Sequence, residues 1–180
     1  MNTILQPANE AGASILFPSA THEVVHAIHC LTEAEAKKRF KVSEKLWPEV
    51  AKLWKESASE FENPSEGVQG LYAYVGEAFK FLDASTLSAE STKKAVHQLA
   101  VLSALYGVVE ADAWIRPYRL EMQMKLEVAS AKSLYALWKP IITQWLNDHP
   151  AKIIVDACSG EYSKAVEWDS IDKTVVQVDF

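Results

Sequence analysis

Cysteine is scarce in this chain, because only Cys30 and Cys158 occur among its 180 residues. Two cysteines so far apart exclude a disulfide framework and a cysteine-rich zinc module, so we expect both to be reduced packing residues. Long apolar runs are absent as well: none approaches the ~20 residues that cross a bilayer, and the first residues do not have the cationic start and apolar core of a secretion signal. These absences predict a cytoplasmic protein without membrane contact.

Positive charge is also in short supply. The chain has 18 lysines and arginines against 24 aspartates and glutamates, which gives a formal net charge of -6. Such a chain repels polyanions as a whole, so any contact with nucleic acid requires a local basic patch. The sequence also lacks a phosphate loop, a dinucleotide fingerprint and the order of a serine-histidine-aspartate triad, and it therefore predicts no cofactor.

Apolar residues, in contrast, are plentiful at 49% of the chain, which is enough for one globular core. Helical periodicity alternates with β-branched segments, and this predicts a single mixed α/β domain over residues 1–180, with a mixed sheet flanked by helices. Thr21 and Ser43 are predicted helix caps, and Thr32 with Glu35 has the spacing of a capping box. Helices are predicted at residues 22–30, 32–40, 44–54, 91–102 and 130–146, and strands or extended segments at residues 3–5, 70–76, 105–109, 118–124, 153–157 and 174–178.

The stretch HEVVH at residues 22–26 matches the pattern of zinc hydrolases. On a helix, His22 and His26 lie one turn apart and reach a single zinc, while Glu23 activates its water. A catalytic zinc needs a third protein ligand, however, and His29 lies two turns from His22 along the same helix. A surface helix with partly exposed histidines explains the stretch better, so zinc hydrolysis is kept as a minor alternative and no metal site is predicted.

A longer stretch, LSALYGVVEADAWIRPYRLEM at residues 102–122, resembles the peroxide-stress YaaA family, whose members carry L-S-G-L-Y-G-V-L-x-P-x-D-x-x-x-P-Y-R-L-E-M. The similarity extends through IIVDACSGEY at residues 153–162, where the family has a strand ending in a Ser-x-Glu-Tyr element. More weakly, residues 4–8 are similar to the family's opening strand and Pro-Ala-Lys-Thr turn. The resemblance covers nearly the whole chain and implies the fold of that family.

The chain departs from the family pattern where the family has cations. Asn9 and Glu10 stand in place of the lysine and threonine of the Pro-Ala-Lys-Thr turn, and Val75 stands in place of a lysine in a Phe-Lys-Gly-Asp turn. The family pattern also continues beyond the position of Phe180, into a strand and a helix with a Lys-x-Ala-Arg-Gly segment. The resemblance therefore implies a C-terminally shortened member whose anion-binding cleft has lost positive charge.

The resemblance also implies a cytoplasmic protein of the oxidative-stress response that limits damage from iron and peroxide and binds DNA through a helix-hairpin-helix-like element. A local counterpart of that element is the helix ending near Phe40, the turn at residues 41–43 and the helix beginning at Glu44. With the free amides of the second helix, the cations at this turn predict weak, salt-dependent binding of duplex DNA without sequence preference. Interleaved glutamates leave open a solvated helix face of mixed charge. The cations are Lys37, Lys38, Arg39, Lys41 and Lys45.

Polar residues retained in the matched motifs predict a different activity. Tyr118, Arg119 and Glu121 lie in or beside an extended segment, and Glu161 and Tyr162 follow a buried-type strand. Strand ends are where α/β domains place ligands, so we expect these two sets to converge at one pocket for a small anionic ligand. The pattern indicates, as the alternative to the stress and DNA-associated role that is placed first, a divergent small-molecule enzyme, for example a biosynthetic one, and leaves its reaction open.

Each residue of this pocket has a predicted role. Arg119 binds a carboxylate or phosphate, and Glu121 or Glu161 is the general base. Tyr118 or Tyr162 donates a proton or orients the substrate. The alternative is an ion pair of Arg119 with one of the glutamates that only satisfies charge, with the tyrosines as core aromatics. Further ligand-binding residues predicted here are Asn9, Glu10 and Ser159.

Overall fold

The computed structural model describes the backbone of Gln6–Pro7 and residues 13–178. Its first layer consists of four helices: α1 (Pro18–His29), α2 (Glu33–Phe40), α3 (Trp47–Leu53) and α4 (Ala58–Glu62). Helix α1 begins at Pro18 because proline is favoured in the first turn of a helix. The predicted cap at Thr21 is therefore wrong. Thr21 lies inside the helix, where its buried hydroxyl donates to the Leu105 carbonyl over 3.4 Å.

The pair of helices α2 and α3 matches its prediction at the start of α2 and differs from it at the start of α3. The capping box is confirmed, because Thr32 Oγ1 accepts the Glu35 N–H and the Glu35 carboxylate accepts the Thr32 N–H. Helix α2 ends at Phe40, and Lys41 follows it in the left-handed region with φ 50°. Helix α3 starts at Trp47 rather than Glu44, because a turn at residues 44–46 intervenes. The N–H groups of Leu46 and Trp47 both donate to the Ser43 carbonyl, and no side chain caps α3.

The predicted strand at residues 70–76 is wrong. Strand β2 (Glu66–Gln69) ends before it, and a one-turn helix α5 (Gly70–Ala73) follows. Gly70 marks a close approach of two backbones, because a Cβ there would lie 2.4 Å from the Glu110 carbonyl oxygen. The N–H of Gly70 donates to the Ala113 carbonyl, and that of Leu71 to the Ala111 carbonyl. Strand β2 pairs antiparallel with β1 (Gln6–Pro7) and with β5 (Trp114–Ile115). The predicted strand at residues 3–5 lies outside the described residues.

A second sheet is the hairpin of β3 (Ala100–Ser103) and β4 (Gly107–Glu110). It follows α6 (Glu77–Leu82), a short 3₁₀ turn at Ala84–Thr86 and α7 (Ala89–Gln98). Helix α7 is capped by Ser88 and ends four residues before its predicted end. Strand β3 begins at Ala100 instead. Val101 and Ser103 point into the core, and this alternation of buried residues is typical of a strand.

Beyond the hairpin, an extended segment runs through residues 118–128. Its residues alternate between buried and exposed, but within the described chain it pairs with no strand and makes a single bridge, between Val128 and Ala131. A turn interrupts it where the Met124 N–H donates to the Glu121 carbonyl. The side chains that it buries are Leu120, Met122, Met124, Leu126 and Val128.

The C-terminal part contains α8 (Leu134–Asp148), β6 (Ile153–Asp156), α9 (Gly160–Ser163), a 3₁₀ turn at Trp168–Ser170 and β7 (Thr174–Gln177). Helix α8 is capped by Ser133 and continues through Pro140. Strands β6 and β7 are confirmed and pair in parallel. The mixed α/β class is confirmed, although the sheet is divided into three small sheets. Within the described ranges, no helix combines the length and apolarity that a bilayer crossing requires.

Candidate functional site

The candidate site is a group of side-chain hydroxyls that we call the hydroxyl cluster: Tyr74, Ser103, Tyr118 and Tyr162. Tyr74 follows α5, Ser103 ends β3, Tyr118 begins the extended segment, and Tyr162 lies in α9. The Oγ of Ser103 lies 2.7 Å from the Oη of Tyr118. The ring of Tyr106 packs edge-on against that of Tyr118, with 5.5 Å between centroids. Three segments that the sequence keeps apart therefore meet at Tyr118.

Ser103 is fixed by the turn of the β3–β4 hairpin. Its side chain is completely buried, and its Oγ accepts the N–H groups of Leu105 at 3.2 Å and Tyr106 at 2.9 Å. A serine oxygen has two lone pairs, and both are used by these N–H groups. The Ser103 hydroxyl must therefore donate its own hydrogen to Tyr118.

Tyr74 reaches Tyr118 from the other side. Their hydroxyl oxygens are 3.5 Å apart and their rings meet edge to face, while Phe79 stacks on Tyr74 with 5.2 Å between centroids. Burial raises the pKa of Tyr74 and of Tyr118 well above the ordinary value of a tyrosine. Both phenols are therefore neutral at physiological pH and are able to donate hydrogen bonds.

Tyr106 contrasts with these residues because its hydroxyl is already satisfied. It accepts the N–H of Arg116 at 3.1 Å and donates to the Arg116 carbonyl at 3.4 Å. Burial raises the pKa of Tyr106 as well. This hydroxyl holds the backbone before Pro117 in place and has no capacity left for a ligand.

Tyr162 lies close to two carboxylates. Its pKa is raised mainly by burial and then by the nearby Tyr118, Glu161 and Glu121 side chains. The Oε1 of Glu161 accepts the Gln123 N–H at 3.1 Å. This contact joins α9 to the extended segment and holds the Glu161 carboxylate in position.

Arg119 lies beside this site but takes no part in its hydrogen bonds. Its guanidinium is 4.0 Å from the Glu121 carboxylate, and both side chains are about half exposed. Such an exposed pair contributes little to stability. Arg119 and Glu121 also line a crevice of about 10 Å³ against Arg39 and Phe40, which has room for about one water molecule. The predicted fork for a carboxylate or phosphate is thus at the surface, opposite α2.

The structure describes one of the three predicted ligand-binding residues, Ser159. Asn9 and Glu10 lie outside the described residues. Ser159 precedes α9, where its carbonyl accepts the N–H groups of residues 162 and 163 while its side chain is exposed. Next to it, the buried Asp156 accepts the Cys158 N–H at 3.0 Å and the Ser163 hydroxyl at 2.7 Å.

The cations at the α2–α3 turn fall into two groups. Lys37 forms ion pairs with Glu33 and Glu44, and Arg39 donates to the Lys125 carbonyl. The other three are exposed and make no ion pair with any residue that the structure describes. We call them the basic turn: Lys38, Lys41 and Lys45.

The histidines of HEVVH are engaged in other contacts. His22 Nδ1 lies 2.5 Å from the Glu62 carboxylate, which joins α1 to α4. A ring nitrogen of His26 lies 3.8 Å from Cys30 Sγ. In the part of the chain that the structure covers, no three histidine, cysteine, aspartate or glutamate side chains converge, so the zinc alternative has no third ligand there.

Sequence reasoning missed two members of the cluster, Tyr74 and Ser103. Both lie in segments that had been compared with the family, Ser103 in LSALYG and Tyr74 in YVGE. The sequence pattern predicts a strand at Tyr74 and identifies Ser103 only as part of a motif. Neither reading indicated that their hydroxyls meet Tyr118.

Comparisons with known proteins show the family of this chain. The family model described as Peroxide stress protein YaaA matches residues 1–180. Curated UPF0246 proteins are also similar: one from Shewanella woodyi is 31% identical over 160 residues, and one from Idiomarina loihiensis is 35% identical over 158 residues. These alignments cover 87% and 86% of this chain but 62% and 61% of the relatives, so the chain spans about three fifths of their length. The chain belongs to the peroxide stress protein YaaA family.

Proposed function

We propose that the hydroxyl cluster and its neighbouring carboxylates form a small-molecule site that performs acid–base chemistry. The observation that carries this proposal is the meeting of Ser103, Tyr118 and Tyr74 through their hydroxyls, with Tyr162 beside them. Hydroxyls from three separate segments meet here, and a fold needs no such arrangement to fill a core. Apolar side chains of the same volume would fill it without any hydrogen-bond constraint.

In this proposal Glu161 is the general base. Its Oε1 is held by the Gln123 N–H, and no described residue hydrogen-bonds its second carboxylate oxygen. That oxygen accepts a proton from the bound molecule. Tyr118 and Tyr162 donate hydrogen bonds that orient the molecule, because their raised pKa values keep them protonated. Glu121 and Arg119 lie at the rim and set its local charge.

Titration of isotope-labelled tyrosines tests this proposal. The chain is titrated with pyruvate, acetoacetate and acetate while the tyrosine ring resonances are followed by NMR. We expect at least one of the probes to shift the Tyr118 and Tyr162 resonances together, and Glu161→Gln to change its affinity. Tyr72 is an exposed tyrosine outside the cluster and provides the internal control. Unchanged Tyr118 and Tyr162 resonances with all three probes contradict the proposal.

A second candidate function is DNA binding by the basic turn. It is favoured by the exposure of Lys38, Lys41 and Lys45, which stand at a helical hairpin with no described carboxylate paired to them. Lysines so placed bind phosphates as point charges, which gives affinity without sequence preference.

Fluorescence anisotropy with a short labelled duplex tests this second candidate. The logarithm of the binding constant is expected to fall with the logarithm of salt concentration, with a slope of roughly -2 to -3 for three phosphate contacts. Lys38→Glu with Lys41→Glu is expected to abolish binding. The double variant Lys93→Glu with Lys132→Glu is the control, because it changes the net charge by the same amount at two exposed lysines outside the basic turn. It should bind the duplex more tightly than the variant at Lys38 and Lys41. Equal loss in both double variants would show that only net charge matters and contradict a role for the turn.

We also propose the role in peroxide stress that the family description names, on family membership alone. The proposal predicts that a strain lacking the gene grows more poorly in hydrogen peroxide than its parent. Complementation with the Tyr118→Phe and Lys38→Glu/Lys41→Glu variants shows which of the two candidate surfaces this role requires. Equal growth of the deleted strain and its parent contradicts it.

A further inference from the structure

The hydrogen bonds of the hydroxyl cluster run in one direction, and Ser103 sets that direction. Since both lone pairs of its Oγ are filled by the N–H groups of Leu105 and Tyr106, Ser103 acts toward Tyr118 only as a donor. The Oη of Tyr118 therefore accepts, and its own hydrogen points elsewhere. The direction from donor to acceptor in the cluster is thus fixed by backbone amides of the β3–β4 turn.

The hydrogen of Tyr118 has one described acceptor, the Oη of Tyr74 at 3.5 Å, which is at the outer limit of a hydrogen bond. If Tyr118 donates to Tyr74, the hydrogen of Tyr74 in turn has no acceptor among the described residues. Either way the chain of three hydroxyls ends in an O–H group without a good partner. Tyr106 shows the opposite arrangement, because both its donor and its acceptor capacity are used by Arg116.

Tyr162 provides a second donor of this kind. Its hydroxyl makes no hydrogen bond to any residue that the structure describes, although Tyr118 and the Glu161 and Glu121 carboxylates lie close enough to raise its pKa. Tyr74, Tyr118 and Tyr162 are each partly exposed as whole residues, while their hydroxyl groups lie in a desolvated environment that raises their pKa values. Two unpartnered O–H groups therefore stand next to a held carboxylate.

We propose that these O–H groups bind the oxygen of a carbonyl compound and stabilise it as an enolate. This inference rests on the proposed small-molecule site and specifies its ligand class. In the reaction, a proton leaves the carbon next to the carbonyl and goes to the Glu161 carboxylate. The C–H electron pair forms a carbon–carbon double bond, and the carbonyl π electrons move to the oxygen that the phenols hold. No oxidant or further reactant is needed.

The carboxylates restrict the ligand class further. Glu121 and Glu161 make the neighbourhood negative, so a neutral carbonyl compound enters more easily than a dianion. Charge develops on the ligand oxygen only as the proton moves to Glu161, which neutralises that carboxylate at the same moment. A donor-only ligand such as an ammonium ion cannot accept the hydrogens that the Tyr118 and Tyr162 hydroxyls donate, although the carboxylates would attract it.

Two probes of opposite character test the inference. The first is para-nitrophenolate, whose phenolate oxygen mimics an enolate, and the second is benzylammonium, which has donors only. Both are titrated into the chain while the ring resonances of Tyr118, Tyr162 and Tyr72 are followed. In the Glu161→Gln variant, which removes the charge that repels an anion, we expect para-nitrophenolate to shift the Tyr118 and Tyr162 resonances. Adding Tyr118→Phe or Tyr162→Phe to that variant is expected to weaken its binding about tenfold. Tyr72→Phe serves as the matched control, with unchanged affinity expected.

Three outcomes are decisive. The inference is supported if para-nitrophenolate binds more tightly than benzylammonium and if Tyr118→Phe or Tyr162→Phe weakens its binding. Binding of benzylammonium at the same tyrosines without binding of para-nitrophenolate overturns the enolate inference but leaves a small-molecule site. If neither probe moves the Tyr118 or Tyr162 resonances, the enolate inference fails, and the pyruvate, acetoacetate and acetate titrations then decide the broader proposal separately. Tyr162→Phe keeps the test valid if Tyr118→Phe fails to fold, because the Tyr162 hydroxyl holds no described residue.

Discussion

The hydroxyl oxygens of Ser103 and Tyr118 are 2.7 Å apart, although the two residues belong to different elements, the end of β3 and the start of the extended segment. The distance is the usual one for a hydrogen bond between two hydroxyls, and Ser103 is completely buried. It joins the hairpin of the LSALYG stretch to the PYRLEM stretch. The position of Tyr118, and with it the candidate site, depends on this one hydrogen bond more than on any other.

Gly70 is expected to tolerate no side chain. Its Cβ would meet the Glu110 carbonyl oxygen at 2.4 Å and a Val109 methyl at 2.7 Å, so Gly70→Ala forces two backbones apart. We expect a loss of about 1–3 kcal/mol in the free energy of unfolding by urea. Gly160→Ala is the matched control, because nothing lies within 4 Å of its Cβ position. Equal stability of the two variants would contradict the close packing of α5 on β4.

The buried tyrosines predict a cooperative transition at alkaline pH. In the unfolded chain, tyrosines ionise near a pKa of about 10, whereas burial raises the pKa of Tyr74, Tyr106, Tyr118 and Tyr162 in the fold. A raised pKa contributes stability that is fully present below the unfolded value and is lost as pH rises toward the folded value. The phenolate absorbance of these four tyrosines, beyond that of the exposed Tyr72, should therefore appear together with loss of the helical circular dichroism. Gradual ionisation of these tyrosines in a folded chain would contradict their burial.

Cys158 is expected to be a slow nucleophile. Burial, with the neighbouring Asp156 carboxylate, raises the pKa of its thiol to about 12. The thiolate is the reactive form, and a rise of about three units lowers its fraction roughly a thousandfold at neutral pH. In a Cys30→Ser variant, alkylation by iodoacetamide should be very slow in the folded chain and fast in urea. Rapid alkylation of the folded variant would show that the Cys158 thiol lacks this environment.

The sequence predicts correctly those elements whose stabilising contacts join residues that are close together in the chain. The capping box of Thr32 and Glu35 was confirmed because both hydrogen bonds form within one helical turn. Strands β6 and β7 were confirmed because β-branched runs favour a strand. At Gly70, in contrast, the sequence pattern predicts the start of a strand. The feature that requires glycine there is the nearby carbonyl of Glu110, which is distant in sequence. A pattern within a short stretch of sequence does not show a contact with so distant a residue.

The candidate site shows the same limit. The motif residues Tyr118, Glu161 and Tyr162 were selected by resemblance, but the contacts among their segments are non-local. Tyr74 meets Tyr118 across 44 positions, and the Gln123 N–H meets Glu161 across 38. The direction of the hydroxyl chain depends on backbone amides at the hairpin turn, and a sequence does not reveal which lone pairs they occupy. That direction follows from the folded structure.

A double-mutant cycle of Ser103→Ala and Tyr118→Phe, with stability measured by urea unfolding, tests the hydroxyl cluster most directly. Each single variant removes one hydroxyl of the 2.7 Å contact, and the double variant removes both. If the hydrogen bond exists as described, the two losses are non-additive, with a coupling of about 1 kcal/mol. Additive losses, within about 0.3 kcal/mol, would show that the two hydroxyls do not interact and would contradict the site built on them.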